Sequence, residues 1–133
     1  MKVKTEQEMI ELGRDFAQKL ARPAVIELLG DVGAGKTTFV RGLAEGLGVS
    51  EPVTSPSFTI SKIYALLGGG RLVHYDFYRL DDPGLMMEDF VENLREPDSV
   101  VVVEWGESVA DFLPKEHIKV IINYTDEGRE VII

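Results

Sequence analysis

Gly30-Asp31-Val32-Gly33-Ala34-Gly35-Lys36-Thr37 fits the pattern G-x-x-x-x-G-K-[ST], whose residue types suit one task, holding the phosphates of a nucleotide. Glycines remove side chains, so backbone N–H groups can turn inward toward phosphate oxygens. A helix beginning at the end of the loop adds its dipole and its unpaired N–H groups. Lys36 is placed to reach the β- and γ-phosphates, and the Thr37 hydroxyl to ligate Mg²⁺. The competing reading is a glycine-rich turn between strand and helix with an exposed lysine. The flanks speak against it. Val25-Ile26-Glu27-Leu28-Leu29 is a short apolar run ending at the first glycine, and Phe39, Val40, Leu43 and Leu47 recur at helical spacing after the loop.

Two carboxylates stand at the ends of later strand-like runs. Val100 to Val103 is an unbroken β-branched run, suited to a strand covered on both faces, and Glu104 follows it. An acid there has the form of a Walker B element, which contacts Mg²⁺ directly or through water; the alternative is an exposed strand-end glutamate. Asp76 follows the run Arg71 to Tyr75. It either orients a water or the metal's hydration shell, or it initiates a turn. His74 reads as structural, and Arg79 either offsets phosphate charge or pairs with Asp81 or Asp82. Glu51 to Ser57, with its two prolines and several hydroxyls, is a constrained loop. By composition it is a rigid connector, by position a switch that senses the γ-phosphate.

The elements that must position these groups can be read in order. Thr5-Glu6-Gln7-Glu8 has capping-box spacing and opens a helix with the stripe Met9, Leu12, Phe16 and Leu20, ending before Pro23. Ala24 to Leu29 is the strand that feeds the phosphate loop. Phe58 to Leu67 and Arg71 to Tyr75 form a hairpin around Gly68-Gly69-Gly70. A helix over Pro83 to Leu94, the strand from Ser99, a short helical segment from Gly106 to Leu113, and a hairpin of His117 to Tyr124 with Arg129 to Ile133 complete the chain. The order predicts an α/β fold: one phosphate-loop NTPase domain over residues 1–133, with a mixed parallel and antiparallel central sheet flanked by helices.

Composition narrows the function classes. A net charge of −9 makes the chain a poor candidate for gripping a nucleic-acid backbone by itself, so another protein would hold any nucleic acid. The lack of cysteine excludes disulfides, thiolate metal sites and cysteine nucleophiles. Met1 to Glu8 runs into charge rather than an apolar segment, and no apolar run approaches membrane-spanning length, so a cytoplasmic protein is expected.

The assembled motifs resemble the bacterial TsaE (YjeE-type) ATPases of tRNA threonylcarbamoyladenosine (t6A) synthesis, over nearly the whole chain. They are the phosphate loop continued through Thr38-Phe39 and Arg41-Gly42, then Thr54-Ser55-Pro56-Ser57-Phe58-Thr59, His74-Tyr75-Asp76-Phe77-Tyr78-Arg79-Leu80, and Glu104-Trp105-Gly106-Glu107. The loop alone is generic; the other three, in this order, are specific. The resemblance implies ATP and Mg²⁺ as ligands. Gly33, Ala34, Gly35, Lys36, Thr37 and Thr38 would wrap the phosphates, and Thr37 and Glu104 would hold the metal. Asp76 matches the acidic residue implicated in hydrolysis, Trp105 the tryptophan beside the site, and Thr54 to Thr59 the switch-like loop, while Arg129 and Thr5 would lie near the nucleoside. The implied partners are TsaB and TsaD, which transfer threonylcarbamoyl to adenosine 37 of tRNAs reading ANN codons, with tRNA touched only through them. The chain departs from the family at Leu85-Met86-Met87-Glu88-Asp89-Phe90, and at Met9, where threonine is common.

Three other readings share the loop. A small-molecule kinase needs an acceptor pocket and usually a basic lid, and no arginine-rich insert is present. A GTPase switch matches D-x-x-G at Asp81-Asp82-Pro83-Gly84 but lacks an N-K-x-D guanine motif. A nucleotide-gated binding module with negligible turnover shares every site residue with the ATPase.

Overall fold

The computed structural model describes residues 1–30, 33–54, 61–77 and 86–133. Asp31 and Val32, the switch-like Ser55 to Thr59 with Ile60, Tyr78 with Arg79 and Leu80, and Asp81 to Leu85 lie outside the described residues. With them lie the D-x-x-G match, the first residues of the expected hairpin and the expected helix start.

Seven strands form one sheet: β1 (Lys2–Val3), β2 (Ala24–Leu29), β3 (Ser61–Ala65), β4 (Arg71–Asp76), β5 (Ser99–Glu104), β6 (Ile118–Thr125) and β7 (Gly128–Ile132), in the spatial order β1-β7-β6-β2-β5-β4-β3. β6, β2, β5 and β4 run parallel, while β1, β7 and β3 pair antiparallel at the two flanks. The mixed sheet expected from the element order is therefore present. This is the phosphate-loop NTPase fold. β1 was not legible as a strand, because two residues carry no alternation. It pairs with β7, and the Met1 carbonyl accepts from the Val131 amide at 2.8 Å.

The period-two alternation of β5 sorts the core. Val100 and Val102 pack with α1 (Glu6–Gln18) and α2 (Lys36–Gly46) on one face, through Met9, Phe39, Val40 and Leu43. Val101 and Val103 pack on the other face with Phe90 of α3 (Met86–Arg95) and with Val109 of the 3₁₀ segment Gly106–Phe112. Tyr75 joins this second core. Its hydroxyl donates to Asp89 at 2.7 Å and accepts from the Asn93 amide at 2.8 Å. Burial, with the Asp89 contact, pushes that phenol well above its ordinary range. By the same alternation His74, Asp76 and Glu104 belong to the α1/α2 face.

α1 begins as the sequence predicts. Thr5 is extended, and its hydroxyl accepts from the Glu8 amide at 3.1 Å. The Glu8 carboxylate reaches back one residue further than a capping box requires, to the Lys4 amide at 3.0 Å. α1 and α2 approach through glycines: a Cβ on Gly42 would stand 2.1 Å from the Ile10 carbonyl oxygen, and one on Gly13 2.4 Å from that of Phe39. Both obstacles are backbone, so the helices would have to part. Gly42→Ala is expected to destabilise the fold by about 1–3 kcal/mol despite alanine's better helix propensity. A lowered urea midpoint at unchanged slope would register this; an unchanged midpoint would refute the close approach.

Candidate nucleotide-binding site

The loop between β2 and α2 sits where the strand order reverses, with β5 on one side of β2 and β6 on the other. In open α/β sheets this is where the carboxyl ends of the strands leave a crevice. Gly35 is the N-cap of α2 at φ 109°, a left-handed conformation open to glycine, and its lack of a side chain gives the helix no N-cap side-chain acceptor. First-turn amides not capped by the N-cap residue are the groups that an anion binds at a helix start.

Lys36 is only 7% exposed. Its ammonium donates to the Gly30 carbonyl at 2.7 Å, lies 3.9 Å from Glu104 Oε1 and sits 4.3 Å from the Trp105 ring centroid. The exposed lysine of the competing turn reading is thus not what the fold builds. At an effective dielectric of about 20 the Lys36–Glu104 attraction is roughly 4 kcal/mol. Desolvation of both ions offsets much of it, so the pair holds geometry more than it stabilises. Trp105 has φ 56° and ψ 48°, the left-handed region, which costs a non-glycine residue on the order of 1–3 kcal/mol. That conformation ends β5 and places the indole over the ammonium.

Glu104 is also buried, against the expectation of an exposed strand end under the alternative reading. Its Oε2 takes a 2.5 Å hydrogen bond with Nε2 of His74, which is fully buried. Asp76 lies directly beside Glu104, in register on the adjacent parallel strand, and the Phe77 amide donates to the Glu104 carbonyl at 3.0 Å. Thr37, in the first turn of α2, is half-buried. Hydroxyl and carboxylate oxygens are the hard donors that Mg²⁺ takes. Among the described residues no group of three or more His, Cys, Asp or Glu could hold a metal by itself. A Mg²⁺ shared between one carboxylate, one hydroxyl and phosphates needs no such group, so the residues present fit that ion.

Against the loop lies a cavity of about 280 Å³. Thr5, Gly33, Ala34, Gly35, Thr38 and Arg129 line it, together with Met9. The fold therefore gathers Thr5 and Arg129, expected near the nucleoside, around one cavity, and Lys36, Glu104 and Trp105 in one cluster. Arg129 donates from Nε to the Ala34 carbonyl at 3.0 Å, and its guanidinium lies 4.2 Å from the Tyr124 ring centroid. Tyr124 escaped the sequence reading. The signal was available: counting back from the Asp126-Glu127 turn makes Tyr124 and Arg129 cross-strand partners. The His74–Glu104 contact escaped for a different reason, since the two residues meet only once β4 and β5 are paired.

The family model for "Threonylcarbamoyl adenosine biosynthesis protein TsaE" matches residues 3–131. The chain belongs to the TsaE family. A Streptomyces coelicolor protein named tRNA threonylcarbamoyladenosine biosynthesis protein TsaE is 44% identical over 131 residues, covering 94% of this chain and 88% of that one. A Treponema pallidum protein of the same name is 36% identical, covering 98% of this chain and 96% of its own. The crystal structure of Bacillus subtilis YdiB superimposes with a TM-score of 0.77 at 33% identity, covering 98% of this chain and 79% of that one. Among the described residues no helix of this chain is long and apolar enough to cross a membrane.

Proposed function

We propose that this TsaE binds ATP with Mg²⁺ and hydrolyses it, and that hydrolysis supports repeated turnover of a TsaB–TsaD complex that threonylcarbamoylates adenosine 37 of tRNA. The observation that carries the nucleotide reading is the meeting of three features at the end of β2: an α2 start whose N-cap is a glycine, the buried Lys36 ammonium, and the buried Glu104 carboxylate. The family supplies the pathway. The net charge of −9 favours a partner, not this chain, as the holder of the tRNA.

In the proposed reaction a water oxygen bonds to the γ-phosphorus as the bond from phosphorus to the β–γ bridging oxygen breaks, releasing ADP and phosphate. The amides of Gly33 to Thr38 and the Lys36 ammonium hold the phosphates. Thr37 and Glu104 hold Mg²⁺, which when bound neutralises developing charge on the phosphate oxygens. Asp76, beside Glu104, orients the attacking water. Thr5 and Arg129, in the cavity lined by the loop, face the nucleoside, and Trp105 covers the phosphate side. The protein acts as a single domain in the cytoplasm.

The test is ATP hydrolysis by the purified protein, alone and with TsaB and TsaD. Stimulation by the pair supports the reading. Phosphoryl transfer to a small acceptor without stimulation replaces it with a kinase, and binding without hydrolysis in either condition replaces it with a nucleotide-gated module. Asp76→Asn is expected to bind ATP as the parent does and to hydrolyse it about 10²-fold more slowly or worse, as loss of a water-orienting group implies. Hydrolysis at the parent rate would remove Asp76 from the mechanism.

A further inference from the structure

His74 has no role in the scheme above, yet it is the fully buried partner of the carboxylate on which the scheme depends. A carboxylate offers only lone pairs, so this contact requires a proton on Nε2, the donor to Glu104 Oε2. Nδ1 is buried and has no hydrogen-bond partner among the described residues. An apolar side chain of similar size would fill the same space without burying an unpartnered Nδ1, so packing alone does not account for a histidine here. What the ring contributes is its other nitrogen. With Oε2 tied to Nε2, rotation of the Glu104 carboxyl is blocked, and Oε1 is the oxygen left on the side of Lys36, 3.9 Å from the ammonium. Strand pairing makes the arrangement rigid. His74 and Asp76 share a face of β4, and Asp76 is in register with Glu104 on β5. The imidazole thus braces diagonally the side chain that its strand neighbour flanks.

We propose that His74 is a positioning residue of the cation site, fixing the Glu104 carboxylate so that Oε1 is presented toward the metal held with the nucleotide phosphates. The inference rests on the reading of Glu104 as a metal-holding group. It assigns to His74 no contact with nucleotide or metal. Outer partners of metal-binding side chains orient their ligands, and their loss weakens metal affinity by about ten- to a hundredfold.

The experiment is calorimetric titration of the full chain with ADP, in EDTA and again in excess Mg²⁺, for the parent, His74→Leu and His74→Gln. The Mg²⁺-dependent gain in affinity is the readout, and the affinity in EDTA controls for an intact phosphate loop. His74→Leu is expected to bind ADP in EDTA as the parent does and to lose about ten- to a hundredfold of the Mg²⁺ gain. His74→Gln, whose amide nitrogen can stand near the Nε2 position, should recover most of it. A merely structural histidine would instead change both affinities together. His74→Leu with the full Mg²⁺ gain, or a Gln variant no better than Leu, overturns the proposal. Should the Leu variant fail to fold, His74→Asn takes its place, with a donor too short to reach Glu104 and the same two outcomes. A parent that binds ADP without any Mg²⁺ gain defeats the metal reading of Glu104 and the inference with it. A parent that binds no ADP defeats the nucleotide reading itself.

Discussion

Lys36→Met is expected to weaken ATP binding by about 10- to 100-fold and to reduce hydrolysis a further 10²- to 10³-fold, while the protein remains folded. The first figure is the worth of a charge-assisted contact, about 1.5–3 kcal/mol at 1.4 kcal/mol per decade. The second is what is lost when a preorganised cation facing developing charge is removed. The fold should survive because the stem, not the charge, does the packing. The methionine side chain follows the lysine stem as far as Cε, with its sulfur at the Cδ position, and so keeps the apolar packing of the stem while ending short of the ammonium position. Two costs remain. The Gly30 carbonyl loses its 2.7 Å donor, and the buried Glu104 loses its cationic neighbour while keeping His74. Together these are expected to lower stability by about 1–3 kcal/mol. A urea melt separates that loss from the binding defect, measured by titrating ATP against the fluorescence of Trp105, the only tryptophan in the chain. Parent-like ATP affinity in a folded Lys36→Met would remove the lysine from the phosphate site.

Much of this was legible in the sequence, for reasons that differ by element. The phosphate loop and its flanking strand and helix were plain because glycines, lysine and threonine have fixed places relative to the hydrophobic run before and the helical stripe after. β5 was plain because four consecutive valines suit only a strand covered on both faces, and both cores do cover it. Glu104 then followed as an end-of-strand acid, but its burial did not. A sequence cannot say that a carboxylate two residues beyond Val102 will be roofed by Lys36 and Trp105 and tied to His74. His74 read as structural because a lone histidine between apolar neighbours usually is. Its partner stands 30 residues away, and only the β4–β5 register brings them together. β1 was invisible for want of length, though it carries Val3 into the cavity that Thr5 and Arg129 also line. The expectation of Thr5 and Arg129 near a nucleoside came from family resemblance alone. What the structure shows is that Thr5, before α1, and Arg129, in β7, line one cavity with Gly33, Ala34 and Gly35.

Glu104→Gln should separate metal-free binding from turnover, which Lys36→Met does not. The residue is 4% exposed, so its charge is held away from water at a desolvation cost that the Lys36 and His74 contacts must meet. Glutamine keeps the shape, and its carbonyl oxygen can still accept from His74 Nε2, but its amide nitrogen then takes the Oε1 place beside the Lys36 ammonium, donor toward donor. Removing one partner of a buried ion pair leaves the other charge uncompensated and costs about 3–5 kcal/mol. Here the loss is smaller because Lys36 keeps its 2.7 Å contact with the Gly30 carbonyl. The expected loss of stability is therefore about 1–3 kcal/mol, with the protein still folded. Hydrolysis should nonetheless fall by about 10²- to 10³-fold, since an amide oxygen is a poor substitute for a carboxylate in holding a hard divalent cation beside phosphates. ATP binding in EDTA should be unchanged or slightly tighter, because the Lys36 ammonium no longer divides its attraction between Glu104 and the phosphates. That combination of intact fold, intact metal-free binding and lost Mg²⁺-dependent turnover is what a metal-holding carboxylate predicts. A general collapse of stability would make Glu104 a structural counter-ion of Lys36 instead. Retention of hydrolysis at the parent rate would take it out of the cation site, and the proposed role of His74 would fall with it.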